Sequence, residues 1–297
     1  MGIRKLVTNS QRWLIRQAFK HKEDRPKIFV AGAMKCGTTS MFQYLSMHPE
    51  LSPPSIKEPC YFEYGYKKGI LWYYRLFSRD VKGPVSIKHF DASPVYLHYP
   101  KSARRIFKYA PDSRLIFLFR DPIERAYSHH RYYSNKESMF AIKNPEKIET
   151  RSFDEAVIDD IEGRETRLYF RYCRISKYEE QLREYSRYFG PNQMLLIDSH
   201  DLKHNTITKL RETASFLSLN SQNFWDNLLV SDEIVDSAAS LKLGKEQDLK
   251  LFNAQSYTFD IANDTRQLLV DFFKPDVERL VSTYAFKPEW AKHYLHK

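Results

Sequence analysis

The sequence predicts a single α/β domain in which a central parallel sheet is flanked by helices. Three short segments, residues 27–33 (KIFVAGA), 114–119 (RLIFLF) and 193–198 (QMLLID), are mainly apolar. Such segments are typical of strands that are buried on both faces of a parallel sheet. Segments with helical periodicity lie between them, and this alternation of strands and helices favours the parallel arrangement.

The helices are indicated by the spacing of apolar residues and by start signals. The first is expected from about Thr38, directly after the first strand. The second is expected after Asp121, because Asp can cap a helix, Pro122 fits its first position and Glu124 completes a capping box. Two more are indicated by apolar residues three or four positions apart, in residues 178–189 and 207–217.

We expect one domain over residues 26–297, preceded by a basic segment at residues 1–25. The basic segment resembles a short amphipathic helix, which either packs on the outside of the domain or makes a peripheral contact with a membrane surface. Residues 134–152 are polar and rich in lysine. We predict an exposed loop there, of the kind that often covers a binding site.

The charge of the chain favours anionic partners. There are 47 Lys and Arg residues against 37 Asp and Glu, which gives a formal net charge of +10. Nucleotides, acidic glycans, nucleic acids and membrane surfaces all fit this charge. No nucleic-acid-binding motif accompanies it, so we expect no nucleic-acid partner. The sequence does not indicate an oligomeric state.

The cysteine content favours a reducing compartment. Three cysteines are too few for a disulfide framework, and their number is odd. We therefore expect a cytoplasmic location. The sequence contains no run of about 18 apolar residues, so no transmembrane helix is predicted.

The strongest local signal is residues 32–40 (GAMKCGTTS), which lie between the first strand and the first helix. Backbone N–H groups at such a turn, together with the helix dipole, form an anion site, and three consecutive hydroxyl groups add donors. The turn keeps the glycine spacing of the P-loop of ATP- and GTP-binding proteins. However, Thr38 stands where that motif has its lysine, and Lys35 precedes the second glycine. This favours a nucleotide without a γ-phosphate.

A second signal is residues 120–128 (RDPIERAYS), at the end of the second strand and the start of the next helix. Arg120 can bind a phosphate through two parallel hydrogen bonds, and Ser128 can donate a hydroxyl from the helix. An Arg-Asp-Pro turn alone is a common helix start. Its combination with the first turn, between the expected elements, makes it a candidate phosphate site.

Both signals resemble motifs of the sulfotransferases that use 3′-phosphoadenosine 5′-phosphosulfate (PAPS). Residues 35–40 resemble their 5′-phosphosulfate-binding loop, and residues 120–128 resemble their 3′-phosphate-binding motif R-x-P-x-x-R-x-x-S. The branch with heparan sulfate sulfotransferases is the most similar. Further resemblance lies in residues 57–62 (KEPCYF) and 68–73 (KGILWY). The resemblance is good over residues 27–133, looser over 172–219 and thin after 231, and it implies the P-loop, nucleotide-kinase-like sulfotransferase fold.

The resemblance implies that PAPS is the co-substrate and leaves as adenosine 3′,5′-bisphosphate (PAP). PAP is a good leaving group and no cluster of residues has the spacing of metal ligands, so we expect no metal. A C-terminal loop would cover the nucleotide. The candidate PAPS-binding residues are Lys35, Cys36, Gly37, Thr38, Thr39, Ser40, Arg120 and Ser128, with Lys242 and Lys245 from the C-terminal loop.

The resemblance also implies the catalytic groups. Glu58 matches a catalytic glutamate that would accept the proton of the acceptor, and Lys35 would stabilise charge on the leaving group. His89 is a rival base, because cytosolic small-molecule sulfotransferases use a histidine, and we expect it on a loop that could enter the cleft. Heparan-type relatives carry a lysine in a Glu-Lys-Thr-Pro stretch where this chain has Ala92. Lys88 or His89 is expected to replace it.

The sequence thus predicts transfer of a sulfuryl group from PAPS to a hydroxyl or amine, with a saccharide as the acceptor. A small alcohol is the alternative acceptor. A kinase or NTPase on the same fold, or a nucleotide-binding module without turnover, remains a different function. If the chain is part of a longer eukaryotic protein, the Golgi lumen replaces the cytoplasm as the expected location.

Overall fold

One parallel sheet of five strands organises the part of the chain that the structure describes. The strands are β1 (Ile28–Gly32), β2 (Leu51–Ser52), β3 (Lys88–Ala92), β4 (Arg114–Phe119) and β5 (Met194–Asp198), in the spatial order β2-β3-β1-β4-β5. Each neighbouring pair is parallel. The computed structural model describes residues 25–77, 87–137, 142–228 and 261–295.

Helices flank this sheet and connect its strands. In chain order they are α1 (Thr38–Met47), α2 (Ile70–Tyr74), α3 (Ser102–Tyr109), α4 (Pro122–Ser134), α5 (Phe153–Ile161), α6 (Tyr178–Ser186), α7 (Ser199–His204), α8 (Thr206–Phe216), α9 (Phe224–Leu228), α10 (Asn263–Tyr284) and α11 (Lys292–Leu295). The predicted fold class is therefore confirmed. Within the described ranges, none of these helices has the length and apolarity needed to cross a bilayer.

Strand β3 differs from the sequence prediction. Its residues, KHFDA, include three polar side chains, so the segment lacks the continuous apolar run that marks β1 and β4. The prediction that His89 lies on a loop entering the cleft is wrong, because His89 lies within β3. Strand β2, with two residues, is too short to be recognised from periodicity.

The predicted loop over residues 134–152 is also partly wrong. Helix α4 extends to Ser134, and the carboxylate of Glu149 is buried rather than exposed. Arg151 explains this burial, because its guanidinium forms ion pairs of 2.8 Å with Glu149, Asp159 and Glu165. A buried carboxylate is tolerated when a charged donor pairs with it.

The strand order brings three chain segments to one edge of the sheet. Strand β1 lies between β3 and β4, and all its residues are buried. Because the strands are parallel, their carboxyl ends lie on the same side. The turn after β1, the 3-10 turn Pro94–Tyr96 after β3 and helix α4 after β4 start there. Open α/β sheets bind ligands outside this edge.

Candidate active site

The turn at residues 33–37 joins β1 to α1 and is held by the backbone of β4. The N–H of Ala33 donates to the carbonyl of Leu118 at 2.8 Å. Two turn residues have a left-handed backbone, Lys35 with φ of 72° and Gly37 with φ of 86°. Gly37 stands at the N-terminus of α1 and no side chain caps this end, so the N–H groups of the first helical turn are available to an anion.

Gly32, the last residue of β1, has a packing reason to be glycine. A Cβ atom at this position would lie 2.5 Å from the Cβ of Leu97. The N–H of Leu97 also donates to the carbonyl of Ala31 at 2.8 Å. The segment after β3 therefore packs directly against the end of β1, which brings residues after β3 close to the turn.

Arg125 of α4 fixes the turn from the other side. Its guanidinium is fully buried, and its Nε donates to the carbonyl of Met34 at 3.1 Å. Its terminal nitrogens donate to the carbonyl of Tyr172, the hydroxyl of Ser176 and the Nδ1 of His129. These four acceptors are uncharged, so the guanidinium contributes a positive potential beneath the turn. Sequence reasoning missed Arg125, although it occupies the second arginine position of the R-x-P-x-x-R-x-x-S motif.

The ammonium group of Lys35 lies in this positive region. Burial lowers its pKa, and repulsion from Arg125 and Arg120 lowers the pKa further. Attraction to Glu58 acts in the opposite direction. The Lys35 Nζ also lies 4.7 Å from the ring centroid of Tyr132, an exposed residue of α4. The surroundings of Lys35 therefore disfavour its charged form, and a bound anion would stabilise that charge.

Arg120 lies at the carboxyl end of β4, where the sequence predicts a phosphate ligand. Its Nε donates to the Glu124 carboxylate at 2.6 Å, four residues later on α4. Within the described ranges, no acceptor contacts its two terminal nitrogens. Ser128 follows Glu124 by one helical turn and is half-buried, so it shares the helix face of the Arg120–Glu124 pair.

The start of α4 agrees with the prediction except for the capping box. The Oδ1 of Asp121 accepts the N–H groups of Ile123 at 2.8 Å and Glu124 at 3.0 Å, and Pro122 is in the first turn. The predicted capping box is wrong. The N–H of Asp121 does not donate to the Glu124 carboxylate, which accepts from Arg120 instead. Asp121 thus caps the helix, whereas Glu124 orients the guanidinium of Arg120.

The hydroxyl residues at the start of α1 vary in exposure. Thr38 is buried, whereas Thr39 and Ser40 are half-buried. Thr39 has a partner that sequence reasoning missed, because the Nζ of Lys57 donates to its Oγ1 at 2.9 Å. This bond connects the segment after β2 to the anion-binding helix, and Lys57 adds another cation beside it.

Glu58, the candidate base, follows Lys57 and has a left-handed backbone with φ of 52°. Its surroundings raise the pKa of the carboxyl by burial, while Lys57 and Lys35 act to lower it. The side chain retains exposure to solvent, so we expect the shift to grow when an acceptor fills the site. Lys35 and Glu58, predicted from separate motifs, are thus close enough to affect each other's ionisation.

His89 and Lys88 lie away from this group. In the sheet register, Phe90 pairs with Ile28, the first residue of β1, so both lie beyond the amino end of β1. The ring of His89 packs 5.3 Å from that of Phe77. The Nζ of Lys88 donates to the carbonyls that end α8, at Leu217 and Ser218. Neither side chain takes the place of the lysine that heparan-type relatives carry at the position of Ala92. The structure does not bring His89 to Lys35 or Glu58.

The remaining predictions concern the ends of the chain and metal ions. The basic segment at residues 1–24 and the candidate nucleotide ligands Lys242 and Lys245 lie outside the described residues. In the described part of the chain, no three His, Cys, Asp or Glu side chains form a group that could hold a metal ion. The independence of metal stays a prediction.

A family model described as the sulfotransferase domain matches residues 25–267. The chain belongs to the sulfotransferase family. It is 26% identical over 254 residues to the heparan sulfate glucosamine 3-O-sulfotransferase 3B1 of Mus musculus, covering 84% of this chain and 61% of that protein. It is also 26% identical over 286 residues to the bifunctional heparan sulfate N-deacetylase/N-sulfotransferase 3 of Homo sapiens, covering 92% of this chain and 32% of the relative. The chain therefore spans less than two thirds of these curated relatives.

Solved structures support the same family. A sulfotransferase from Alicyclobacillus acidocaldarius is similar with a TM-score of 0.66 and 25% identity, covering 90% of this chain and 99% of that one. A mouse sulfotransferase, SULT7A1, crystallised with PAP, has a TM-score of 0.53 and 12% identity, covering 89% of this chain and 90% of its own. The second likeness concerns the fold alone.

Proposed function

We propose that this sulfotransferase transfers a sulfuryl group from PAPS to a hydroxyl or amine of a saccharide. The observation that carries the proposal is the meeting of an anion-binding turn and a carboxylate. Lys35 on the turn is close enough to both Arg120 and Glu58 for their charges to act on its pKa. A donor anion and an acceptor that must lose a proton need such neighbouring groups.

The described residues fit a nucleotide with phosphates at the 3′ and 5′ positions of its ribose. The turn and the N-terminus of α1 supply backbone N–H groups for the 5′-phosphosulfate. Arg120 supplies two terminal nitrogens for the 3′-phosphate, since Glu124 occupies its Nε and fixes the orientation of the guanidinium. Thr38 at the position of the P-loop lysine supports this nucleotide over ATP.

The proposed roles of the protein are positioning and electrostatic stabilisation. PAPS supplies the activated sulfuryl group and a good leaving group. Lys35 would stabilise the negative charge that develops on the leaving phosphate oxygen, aided by the potential of Arg125. Glu58 would accept the proton of the attacking hydroxyl or amine. Holding both partners in line supplies much of the rate enhancement in transfers of this kind.

A saccharide acceptor is supported by the names of the relatives and by aromatic and basic side chains in the segment that follows Glu58. The relatives are named as heparan sulfate sulfotransferases. Tyr64 and Tyr66 are exposed, and the Nζ of Lys68 lies 4.1 Å from the ring centroid of Trp72. Flat aromatic faces and lysines suit a sugar with anionic groups, and a small alcohol stays the alternative.

The proposed location is the cytoplasm, with peripheral membrane contact through residues 1–25. A membrane-associated sulfotransferase of Dictyostelium discoideum, kil1, is 36% identical over 107 residues, which cover 36% of this chain and 23% of that protein. The Golgi lumen remains the alternative if the chain is part of a longer protein.

Titration calorimetry and an acceptor screen test the proposal. We expect PAP to bind in the presence of a chelator, and ATP with Mg²⁺ to bind weakly or not at all. Labelled PAPS should then transfer its sulfuryl group to saccharides with free hydroxyls or amines more readily than to simple alcohols. Binding of ATP with Mg²⁺ in preference to PAP would instead support a kinase or NTPase.

A further inference from the structure

The segment that carries Glu58 has an unusual backbone. Glu58 and Cys60, two residues apart, have φ angles of 52° and 49°. Residues with a Cβ atom rarely adopt this left-handed conformation, and it persists only where neighbouring structure fixes it. The contacts that fix residues 58–62 therefore determine where the Glu58 carboxylate points.

Two side chains that follow β3 make these contacts. The Oγ of Ser93 accepts the N–H of Cys60 at 3.0 Å, and the hydroxyl of Tyr96 accepts the N–H of Phe62 at 3.3 Å. All four groups are buried. The two bonds hold the segment at Cys60 and Phe62, two and four residues after Glu58.

Asp91, the fourth residue of β3, orients both hydroxyl groups. Its Oδ1 accepts from Ser93 at 2.7 Å, and its Oδ2 accepts from Tyr96 at 2.8 Å and from Tyr73 at 2.9 Å. The carboxylate is fully buried, and burial raises its pKa to about 6. All three hydroxyl groups donate to it, and a carboxylate acts only as an acceptor. Each hydroxyl proton points to Asp91, so the oxygen lone pairs of Ser93 and Tyr96 remain for the backbone N–H groups.

We propose that Asp91 is a positioning residue that, through Ser93 and Tyr96, holds the Glu58 segment in its active conformation. This inference rests on the proposed function, because it takes Glu58 as the base. It also gives a role to residues 91–94, where heparan-type relatives place the lysine that is absent here. In this chain Ser93 of that stretch accepts the N–H of Cys60, in the segment that carries Glu58.

The test compares two single hydroxyl deletions around the same carboxylate. Ser93→Ala removes a bond to Asp91 and also the acceptor for Cys60. Tyr73→Phe removes a bond to Asp91 but leaves the Glu58 segment untouched, and it keeps the ring that stacks on Tyr61 at 4.6 Å. We expect Ser93→Ala to lower kcat by about 10–100-fold, since small displacements of a catalytic group have such effects. The matched control, Tyr73→Phe, should keep kcat within about twofold of the unmodified chain, because the base does not move.

Further readouts separate positioning from a merely structural role. The affinity for PAP and the KM for PAPS should be unchanged in both variants, measured well below their unfolding temperatures. Ser93→Thr, which keeps the hydroxyl, should restore kcat. If Ser93→Ala does not fold, Tyr96→Phe removes the acceptor for Phe62 and keeps the ring, and it should lower kcat in the same way.

Three outcomes would overturn the inference at different levels. Normal kcat in Ser93→Ala and Tyr96→Phe, with Glu58→Gln inactive, would refute the positioning role and leave the proposed function intact. Equal losses of kcat in Tyr73→Phe and Ser93→Ala would show that Asp91 stabilises the fold in general and does not position Glu58. A fully active Glu58→Gln would reject the base and the inference together.

Discussion

Lys35 and Glu58 act on each other's ionisation. Burial lowers the pKa of Lys35 and raises that of Glu58, whereas their mutual attraction opposes both shifts. Each charge therefore depends on the other, and a variant at one position changes the chemistry of its partner.

The first prediction concerns Lys35→Ala. Because charge develops on the leaving group only in the transition state, kcat should fall along with kcat/KM. Loss of the ammonium also removes a group that lowers the pKa of Glu58, so the acidic limb of the pH profile should move to higher pH. Steady-state kinetics from pH 5 to 9 measure both effects. A change confined to the KM for PAPS would make Lys35 a binding residue.

The second prediction concerns Glu58→Gln, which keeps the size of the side chain and removes proton acceptance. We expect a fall in kcat of roughly 10²–10⁴, the usual range for loss of a general base. Affinity for PAP should hardly change. His89→Asn is the control, because His89 lies beyond the amino end of β1. An inactive His89→Asn beside a normal Glu58→Gln would reverse the assignment.

The third prediction concerns Arg120→Ala. Loss of a charged partner of the 3′-phosphate should make the free energy of PAP binding less favourable by about 1.5–3 kcal/mol. The preference for PAPS over adenosine 5′-phosphosulfate, which lacks the 3′-phosphate, should shrink in parallel. Arg114→Ala is the matched control, because Arg114 lies at the opposite end of the same strand and donates to the carbonyl of Asn192. Calorimetry showing equal affinities in Arg120→Ala and the unmodified chain would reject the 3′-phosphate assignment.

At the scale of elements, the sequence predicts those whose signal is local. The apolar runs of β1, β4 and β5 and the start signals of α1 and α4 depend on neighbouring residues, and the structure confirms these elements. Strand β3 has a local pattern that is partly polar, and its Asp91 is buried because the hydroxyl groups of Ser93, Tyr96 and Tyr73 donate to it. Such satisfaction depends on tertiary contacts, which periodicity does not contain.

The candidate site divides in the same way. The turn and Arg120 lie in short motifs, and the residue types and spacing of those motifs are enough to indicate phosphate binding. Arg125 and the bond from Lys57 to Thr39 depend on which segments meet at the sheet edge. For Arg125 a signal exists in the motif, but the residue type alone favours a surface arginine over a fully buried one.

The fourth prediction concerns the junction between α4 and the turn. Arg125→Lys keeps the charge but loses the planar fork that contacts four acceptors. We expect the free energy of unfolding to fall by about 2–4 kcal/mol, since buried acceptors lose their donors. The stabilisation by saturating PAP should also decrease, because the turn loses its support at Met34. Thermal unfolding with and without PAP measures both, and a loss of stability with normal PAP stabilisation would disconnect Arg125 from the turn.

At the scale of the whole molecule, the long helix α10 is tied to the rest of the domain through α6. Asp276 of α10 is buried and accepts the N–H groups of Glu179 at 3.2 Å and Glu180 at 3.3 Å. Asp276 thus caps another helix from across the interface. Burial raises its pKa to about 6, and the two N–H groups only partly oppose this shift.

The fifth prediction follows for the pH dependence of stability. Asp in an unfolded chain has a pKa of about 3.9, so between pH 4 and 6 the folded protein binds more protons at Asp276 than the unfolded one. This contribution to the free energy of unfolding therefore decreases as pH rises through that window. Asp276→Asn removes the effect, so its stability relative to the unmodified chain should improve by about 1–3 kcal/mol from pH 4 to pH 7. Urea unfolding at both pH values provides the check, and an unchanged difference would contradict the shifted pKa.

The left-handed backbones at Lys35 and Glu58 have an evolutionary consequence. Glycine would adopt this backbone conformation with less strain at both positions. Lys35 also carries a partly buried charge close to two arginines. If these residues have the proposed catalytic roles, selection for turnover and selection for stability oppose each other at both positions. Glycine at either position should then raise stability and lower turnover.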